Sequence, residues 1–415
     1  MNRTSKKKNK GKLKSKTKTI VPGLIHHVRE EGKTKYLLKN DGELIIKPFI
    51  KEDNMMYRPK QDLQYNFPDS RIIEMDKNIN YSVLLEEIIV YIKTFLEMPS
   101  ESDYLILALW VFHTYLIDKF NTTPILYFYG VKETGKSRAG EVLNTLAFRS
   151  ERFTSPTESI LFRSTHYFKP TIIIDEITIW GGDGNSPIAQ LIKTRYKRGL
   201  RVPRVNLNRN GEDQIENFDV FGPLVICTTE AMPETIESRC IRFLMQKNKS
   251  SHVEGLLDDK IAEDLRDKLT IFRANELDRL LPEVKPIARR RLNEILTPLY
   301  KIQMLINLKK EKEFVEAVQA IEVRKKGEES MSLENEIIEV LVKHRSEYYF
   351  RTSELRETLN ENRTKEEALT DTKVGRCITR LGFKREKRDG GKIYICLNDG
   401  LLETLASQYG VDINE

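Results

Sequence analysis

The sequence is poor in the residues that build disulfide frameworks and zinc sites, and it has no long apolar run. Its 415 residues include four cysteines, none in a Cys-x-x-Cys pair, and six histidines without the spacing of zinc ligands. These absences argue against a disulfide-stapled domain and against structural zinc. The longest apolar stretch, Tyr104 to Ile117, is shorter than the ~20 residues that a membrane-spanning helix needs. We therefore expect it to be a buried helix.

Basic residues are concentrated at the two ends of the chain, which carries a net charge of +7. No apolar segment follows the basic amino terminus, as it would in a signal peptide, so we expect a cytoplasmic protein without a membrane partner. Basic ends suit a polyanionic partner, with nucleic acid the first choice and an anionic membrane the second. The alternative is that the basic amino-terminal segment is a solvated, disordered arm.

The spacing of apolar residues predicts several domains. Two β-rich runs around Asn40-Asp41-Gly42 predict a hairpin, and from about residue 76 short β-rich runs alternate with helical segments. Such alternation is typical of a parallel sheet covered by helices. The predicted organisation is a basic disordered tail at 1–20, a small N-terminal β-rich element at 21–75, an α/β domain with a helical lid at 76–310, a charged linker at 311–332 and a C-terminal domain at 333–415.

A glycine-rich segment follows the first predicted strand of the α/β domain. Its sequence, GVKETGKS, fits G-x-x-x-x-G-K-[ST] between a strand and a helix, as a phosphate-binding P-loop requires. Backbone N–H groups would face phosphate oxygens, Lys136 would reach the β- and γ-phosphates, and Ser137 would bind Mg²⁺. The alternative is that the segment matches the P-loop pattern by chance. The residues predicted to bind ATP are Gly130, Val131, Lys132, Glu133, Thr134, Gly135, Lys136, Ser137 and Arg138.

A second motif, TIIIDEI, predicts a buried strand that ends in Asp175 and Glu176. Ligands of open α/β sheets bind at the carboxyl ends of the strands, so both carboxylates should lie beside the P-loop. Asp175 would hold Mg²⁺ together with Ser137, and Glu176 would orient and deprotonate the attacking water. An intact glutamate predicts ATP hydrolysis rather than nucleotide sensing.

Two later positions are further catalytic candidates. The strand PLVICTTE ends in Thr228 and Thr229, and Thr229 is the predicted contact to the γ-phosphate or the lytic water. Capping of the following turn is the alternative role of both threonines. Arg239 precedes the fifth predicted strand, where an arginine finger would reach a neighbouring subunit's nucleotide. Arg242 is a second candidate for that role, and an ordinary surface arginine is the alternative.

The C-terminal segment shows three amphipathic helical patterns and then two β-rich runs around a Gly-Gly turn, which is the plan of a winged helix. Basic side chains follow one face of the third helix and decorate the hairpin. The residues predicted to bind duplex DNA are Lys373, Arg376, Arg380, Lys387 and Arg388. Contact with another protein is the alternative use of such a domain.

Over residues 76–310 the chain resembles the AAA+ ATPases, and among them the MCM-related replicative helicases of phages, plasmids and other bacterial mobile elements. The motifs that carry the resemblance are GVKETGKS, KPTIIIDE, KTRYKRG, FDVFGPLVICTT, PETIESRCIRF and RRRLNEILTPL. The resemblance implies the strand order 5-1-4-3-2, a trans arginine finger at Arg239, a lid sensor at Arg290 or Arg291, and a hexameric ring. The chain departs from the family in lacking the usual sensor asparagine after the fourth strand and a zinc-bearing N-terminal domain.

A basic segment from Lys193 to Arg209 precedes the fourth predicted strand, and RVNLNRNGEDQIENF predicts a hairpin with an Asn-Gly turn. In the resembled helicases a hairpin at this place enters the pore of the ring. The resemblance therefore implies that Arg204 and Arg209 contact single-stranded DNA through its backbone. A solvated hairpin or a subunit interface is the alternative.

We thus expect an α/β chain with a five-stranded parallel AAA+ sheet, a helical lid, a small N-terminal β-element and a C-terminal winged helix. The expected function is an ATP- and Mg²⁺-dependent DNA helicase or translocase that forms a hexameric homo-oligomer and acts in replication of a mobile genetic element. The alternative is an ATP-switched initiator or helicase loader that binds DNA without unwinding it. A non-enzymatic DNA-binding regulator is disfavoured by Glu176.

Overall fold

The computed structural model describes residues 14–53, 55–176, 187–330, 333–361, 363–364 and 368–413. The chain divides into two compact units, Met1–Val318 and Gln319–Glu415. Within the described ranges no helix combines the length and the apolar character that a bilayer span requires.

The first unit begins with two small sheets. Their strands are β1 (Lys14–Thr17), β2 (Leu24–Glu30), β3 (Lys33–Asn40), β4 (Glu43–Lys47), β5 (Ile50–Glu52) and β6 (Met55–Arg58). Strands β2, β3 and β4 form an antiparallel meander, and the turn between β3 and β4 confirms the predicted hairpin. Strand β1 pairs in parallel with β6, so the end of the predicted disordered tail is a strand. Residues 1–13 of that tail lie outside the described residues.

Two helices lead from these sheets to the α/β region: α1 (Tyr81–Phe95) and α2 (Glu101–Tyr115). Every side chain of α2 from Asp103 onwards is buried, which confirms the buried helix predicted for this stretch. The Trp110 indole donates a 3.1 Å hydrogen bond to the Pro124 carbonyl oxygen. Helix α2 is thereby fixed against the segment that enters the central sheet.

The central sheet has five strands, all parallel, with helices between them. In chain order the elements are β7 (Ile125–Tyr129), α3 (Lys136–Leu146), β8 (Ser150–Thr154), α4 (Glu158–Phe168), β9 (Thr171–Asp175), α5 (Pro187–Arg195), β10 (Arg201–Val205), β11 (Ile215–Asp219), β12 (Leu224–Thr228), α6 (Glu234–Glu237) and β13 (Cys240–Leu244). The sheet order is β13-β7-β12-β9-β8. Counted along the chain this is 5-1-4-3-2, which confirms the order that the resemblance implied.

Helix α3 approaches the sheet closely because a glycine faces the strands. A Cβ atom on Gly140 would lie 3.2 Å from the Cys227 Sγ of β12 and 3.2 Å from the Ile173 Cγ2 of β9. Both distances are tighter than ordinary carbon contacts, so a larger residue would push the helix away. The start of α3 is therefore held against the carboxyl ends of β9 and β12.

Two long helices follow the central sheet in the first unit: α7 (Asp259–Glu276) and α8 (Arg290–Ile306), in the range predicted to form the lid. Arg273 of α7 is 3% exposed and forms a 2.5 Å ion pair with Asp118. Its guanidinium also donates to three backbone carbonyl oxygens, those of Leu24, Ile25 and Tyr115. Because one buried arginine satisfies acceptors from β2 and α2, strand β2 is joined to α2 and α7.

The basic segment before β10 contains a buried structural arginine. Arg195 is fully buried, and its guanidinium donates to the carbonyl oxygens of Pro170, Val220 and Pro223 at 2.5, 3.1 and 2.9 Å. Burial lowers the pKa of this side chain. Arg195 therefore joins the segments that enter β9 and β12, which corrects its assignment to an exposed basic run.

Replacing this arginine should destabilise the first unit. Arg195→Met keeps much of the side-chain volume but removes the arginine donor from the buried Pro170 and Val220 carbonyl oxygens, at about 1–3 kcal/mol each, whereas the Pro223 oxygen keeps the Ile172 N–H. We expect a loss of at least about 2 kcal/mol, which lowers the melting temperature by about 4 °C or more. Thermal unfolding followed by circular dichroism measures this. The exposed Arg201→Met is the control, and equal melting temperatures for the two variants would contradict the assignment.

Helix α9 (Glu311–Ser330) occupies most of the range predicted to be a linker, and the second unit begins within this helix, at Gln319. Its elements are α10 (Leu333–Lys343), β14 (Tyr349–Arg351), α11 (Thr352–Asn360), α12 (Asp371–Arg380), β15 (Lys384–Arg388), β16 (Lys392–Cys396) and α13 (Asp399–Tyr409). The strands form an antiparallel sheet in the order β14-β16-β15. The core of the unit contains side chains from the four helices and from the inner face of this sheet.

Candidate nucleotide-binding site

The predicted P-loop curls tightly between β7 and α3. Gly130 has φ +157°, and a Cβ atom there would lie 2.6 Å from the Met245 carbonyl oxygen. Gly135, with φ +79°, occupies the left-handed region directly before the first residue of α3. Both positions favour glycine, because other residues would be strained or would clash. The loop therefore ends at a helix amino terminus, where backbone N–H groups are available to an anion.

Lys136 lies inside the curl of the loop. Its side chain is 8% exposed, and Nζ donates to the Val131 carbonyl oxygen and, over 3.3 Å, to the Thr134 Oγ1. Burial is the main cause of the lowered pKa of this ammonium group. Phosphate oxygens arriving at the loop would be better acceptors for Lys136 than these two neutral groups.

Ser137 and Asp175 meet at the carboxyl edge of the sheet. The Ser137 hydroxyl donates to the Asp175 Oδ1 over 2.8 Å, and Asp175 is buried. A hydroxyl and a carboxylate are the hard oxygen ligands that Mg²⁺ prefers, so this donor set fits the predicted ion. The two residues come from different elements, α3 and β9, and the sheet brings them together.

Arg152 of β8 orients this carboxylate, and sequence reasoning missed it. Its guanidinium forms ion pairs with the Asp175 Oδ2 and, at 2.9 Å, with the Glu141 Oε1. Asp175 thus keeps Oδ1 for Ser137 while Arg152 holds Oδ2. The position of Arg152 carries no local motif, because its role depends on the strand order that places β8 beside β9.

Glu176 follows β9 with an exposed side chain and φ +55°, a conformation that non-glycine residues rarely adopt. Its N–H donates to the Cys227 carbonyl oxygen over 3.0 Å, which anchors the residue to β12. A strained backbone at a polar, exposed residue is typical of functional sites. The carboxylate is therefore available beside the P-loop.

The two threonines at the end of β12 differ in their surroundings. Thr228 is buried, pairs across the sheet with Tyr129, and its hydroxyl accepts a 3.1 Å hydrogen bond from the Glu230 N–H. Thr229 is exposed. Because β12 lies between β7 and β9, both residues reach the edge between the P-loop and Asp175.

Four residues predicted to bind ATP have other surroundings. Val131, Lys132 and Glu133 lie on the exposed outer side of the loop. The Arg138 guanidinium donates to the carbonyl oxygens of Phe95 and Val253 at 3.0 and 3.3 Å. Its side chain thus joins α3 to its neighbours. Only the backbone N–H groups of these residues are suited to contact phosphate.

Arg239 and Arg291 lie together near the amino-terminal ends of the strands, opposite the end that carries the P-loop. Arg239 precedes β13, whose Cys240 pairs with Ile125 at the start of β7, so Arg239 is about 20 Å along the strands from Gly130. Both guanidiniums lie over the Tyr196 ring, at 4.9 and 5.4 Å from its centroid. Burial and the charge of Arg291 lower the pKa of Arg239.

This arrangement separates both arginines from the chain's own P-loop. The Tyr196 hydroxyl accepts a 2.9 Å hydrogen bond from Arg291, whereas the Arg239 Nε is buried without a hydrogen-bond partner among the described residues. Arg290, the other predicted sensor, is exposed at the start of α8 with φ +51°. Arg242, the second finger candidate, forms a 3.1 Å ion pair with Glu237.

The predicted DNA-binding hairpin is present as the antiparallel pair β10 and β11. Arg204 forms an ion pair with Glu158 of α4. Arg209 lies in the connection between the strands, is 54% exposed in its side chain, and forms a 2.7 Å ion pair with Glu216. Both predicted DNA contacts therefore have acidic partners within the chain.

The five basic residues predicted to bind duplex DNA are exposed in the second unit. Arg380 forms an ion pair with Glu334 of α10, which ties it to the first helix of the unit. Lys387 and Arg388 are adjacent in β15 and so lie on opposite faces of the hairpin. Lys387 and Arg388 therefore cannot both contribute to one face of the hairpin.

Comparison with known proteins identifies no family. No protein-family model and no curated protein matches the chain. Similar solved structures include the A-form apo structure of the NrS-1 C-terminal region, at 14% identity and TM-score 0.35, covering 90% of this chain and 96% of that chain. Another is SCCmec type IV Cch, an active helicase, at 10% identity and TM-score 0.38. The match covers 95% of this chain and 80% of that chain. A JCV helicase structure has 16% identity and TM-score 0.29, and the match covers 57% of this chain and 65% of that chain. Because these scores lie below 0.5, the assignment of function rests on the residues of this chain.

Proposed function

We propose that the protein is an ATP-dependent DNA helicase or translocase of the AAA+ class. The observation that carries the proposal is the convergence of the P-loop, the Ser137–Asp175 pair and Glu176 at one edge of a sheet with the order 5-1-4-3-2. By the resemblance of its motifs, the chain works as a hexameric ring in the replication of a mobile genetic element.

In this proposal different residues of the chain have different roles in ATP hydrolysis. Loop N–H groups and Lys136 hold the phosphates, while Glu176 orients the attacking water and accepts its proton. Ser137 and Asp175 would hold Mg²⁺, which supplies charge neutralisation at the phosphate oxygens when bound. Arg152 keeps Asp175 in place through its second oxygen. Thr229 is the proposed contact to the γ-phosphate or the water.

The position of the arginines supports the proposed ring. Arg239 is about 20 Å along the strands from the P-loop of its own chain, and Arg291 lies over the same Tyr196 ring, so both are too far to contact that nucleotide. A head-to-tail ring would bring them to the next subunit's γ-phosphate, where a guanidinium stabilises the charge of the transition state. Arg291 therefore acts with Arg239 in trans, and Arg290 is the less suited sensor because of its exposure.

DNA is the proposed substrate of the motor. The connection between β10 and β11 presents Arg209, and a strand in the pore would offer phosphates that replace the Glu216 carboxylate. In the C-terminal unit, which we propose to be a winged helix, Lys373 and Arg376 of α12 would contact duplex DNA.

Replacing Arg209 tests the hairpin. Arg209→Ala should weaken binding of single-stranded DNA and reduce the slope of log affinity against log salt by about 0.7, the value for one lost phosphate contact. Fluorescence anisotropy of a labelled oligo(dT) at several salt concentrations measures both quantities. Arg71→Ala, at an exposed and likewise ion-paired arginine outside the β10–β11 hairpin, is the control. Unchanged affinity in Arg209→Ala would indicate that the hairpin is a solvated surface feature that does not bind DNA.

An ATP-switched initiator or helicase loader is the second candidate. The ion pairs of Arg204 and Arg209 favour it, since a hairpin whose charges are satisfied within the chain need not grip a moving strand. The two functions separate in one assay. A helicase hydrolyses ATP faster with single-stranded DNA and separates a forked duplex, both lost in Lys136→Ala, whereas a loader binds DNA and ATP without separating strands.

A further inference from the structure

The C-terminal unit carries an unusual surface on the outer face of its three-stranded sheet. Residues that pair across antiparallel strands share a face, and successive residues of one strand alternate between faces. Phe350 and Ile395 are paired and buried, so their face is the inner one. The outer sheet face carries the remaining rows, Tyr349–Cys396–Lys384, Arg351–Tyr394–Glu386 and Lys392–Arg388.

This outer sheet face is open to solvent. Tyr349 is 37% exposed, and Lys384, Arg388 and Lys392 are all exposed. Tyr394 is half-buried, with a side-chain hydrogen bond to Asp389 in the hairpin turn. The helices of the unit pack on the other face, where Arg385 crosses directly over Gly375 of α12. Among the described residues of this unit, no element covers the outer face.

Aromatic and basic groups converge at the centre of the outer sheet face. The Arg388 guanidinium lies 3.7 Å from the centroid of the Tyr349 ring. Tyr349 and Tyr394 occupy diagonal positions of neighbouring strands, which places their side chains within contact range. The three rows hold four basic side chains against one acidic side chain, Glu386. The surface thus offers flat rings and a guanidinium plane in a positive field.

We propose that the outer sheet face binds single-stranded DNA by stacking its unpaired bases on Tyr349, Tyr394 and the Arg388 guanidinium. Unpaired bases stack on aromatic rings and on guanidinium planes, and a flat sheet face can present several such groups side by side. A duplex keeps its bases inside the helix and would gain only phosphate contacts here. This surface is distinct from the pore hairpin and from α12, and the inference rests on the proposal that the protein acts on DNA.

Binding measurements on the full chain test the proposal. The double variant Tyr349→Ala, Tyr394→Ala should weaken binding to oligo(dT) at least about tenfold, because two stacking contacts with unpaired bases are lost. Binding to a blunt duplex should change by less than about twofold, since its phosphate contacts remain. Tyr349→Phe, Tyr394→Phe keeps both rings and should bind oligo(dT) like the unmodified chain. Tyr348→Ala is the matched control, because Tyr348 is 84% exposed but outside the three rows.

Photo-crosslinking identifies the surface directly. An oligonucleotide with iododeoxyuridine should crosslink to Tyr349 or Tyr394, and mass spectrometry of the peptides locates the bond. Crosslinks confined to residues 201–219, or equal loss of single-strand and duplex binding in the alanine double variant, would overturn the proposal. These readouts need no ATP, so they are independent of whether the protein separates strands.

Discussion

Glu176→Gln should abolish ATP turnover while leaving ATP binding intact. The amide keeps the size of the carboxylate but cannot accept a proton from water, and general-base catalysis contributes about 10²–10⁴ in rate. The residue is exposed and its backbone is anchored by the Cys227 carbonyl oxygen, so the substitution should not disturb the P-loop. Steady-state phosphate release and binding of a fluorescent ATP analogue measure the two properties separately.

The control for this variant is Glu234→Gln, an exposed glutamate on α6 in the same unit. It should hydrolyse ATP like the unmodified chain. If Glu176→Gln retained turnover within about threefold, a loss far below that of a general base, the glutamate would not be the catalytic base. Loss of ATP binding in the same variant would indicate instead that Glu176 supports the shape of the site.

Arg239→Ala should lower ATP turnover by about 10³–10⁵, the contribution of an arginine finger, without loss of ATP binding. The reason is its place at the amino ends of the strands, where its own nucleotide is out of reach. A residue that acts in trans can be supplied by another subunit. Mixing Arg239→Ala with Lys136→Ala therefore should restore activity, although each variant alone is inactive.

The expected size of this rescue follows from the ring. A mixed ring has an active interface wherever an Arg239→Ala subunit, with its intact P-loop, receives Arg239 from a Lys136→Ala neighbour. In an equal random mixture about a quarter of the head-to-tail interfaces meet this condition. Turnover of the mixture near a quarter of that of the unmodified chain would support active sites that are shared between neighbouring subunits. No rescue, combined with loss of ATP binding in Arg239→Ala, would place the arginine in its own subunit's site.

The residues of the candidate nucleotide site could be located from motifs because they lie in short, contiguous segments. GVKETGKS and TIIIDEI each lie at the end of one strand, and the strand order brings Ser137 and Asp175 together at 2.8 Å. Arg152 could not be found in this way, because its contact with Asp175 depends on the pairing of β8 with β9.

Charge patterns were less informative than motifs. Arg195 looks like part of an exposed basic run, yet three backbone carbonyl oxygens hold it in the interior. Arg380 shares a helical face with Lys373 in sequence but pairs with Glu334. Whether a cation faces solvent, a carboxylate or buried carbonyl groups is decided by tertiary packing, which local spacing does not contain.

The most direct test of the central proposal is strand displacement on a forked DNA duplex. The purified chain with ATP and Mg²⁺ should release the labelled strand, and Lys136→Ala, which removes the buried ammonium from the P-loop, should release none. A chain that hydrolyses ATP and binds the fork, but never separates its strands at any protein concentration, would contradict the helicase function and favour the loader.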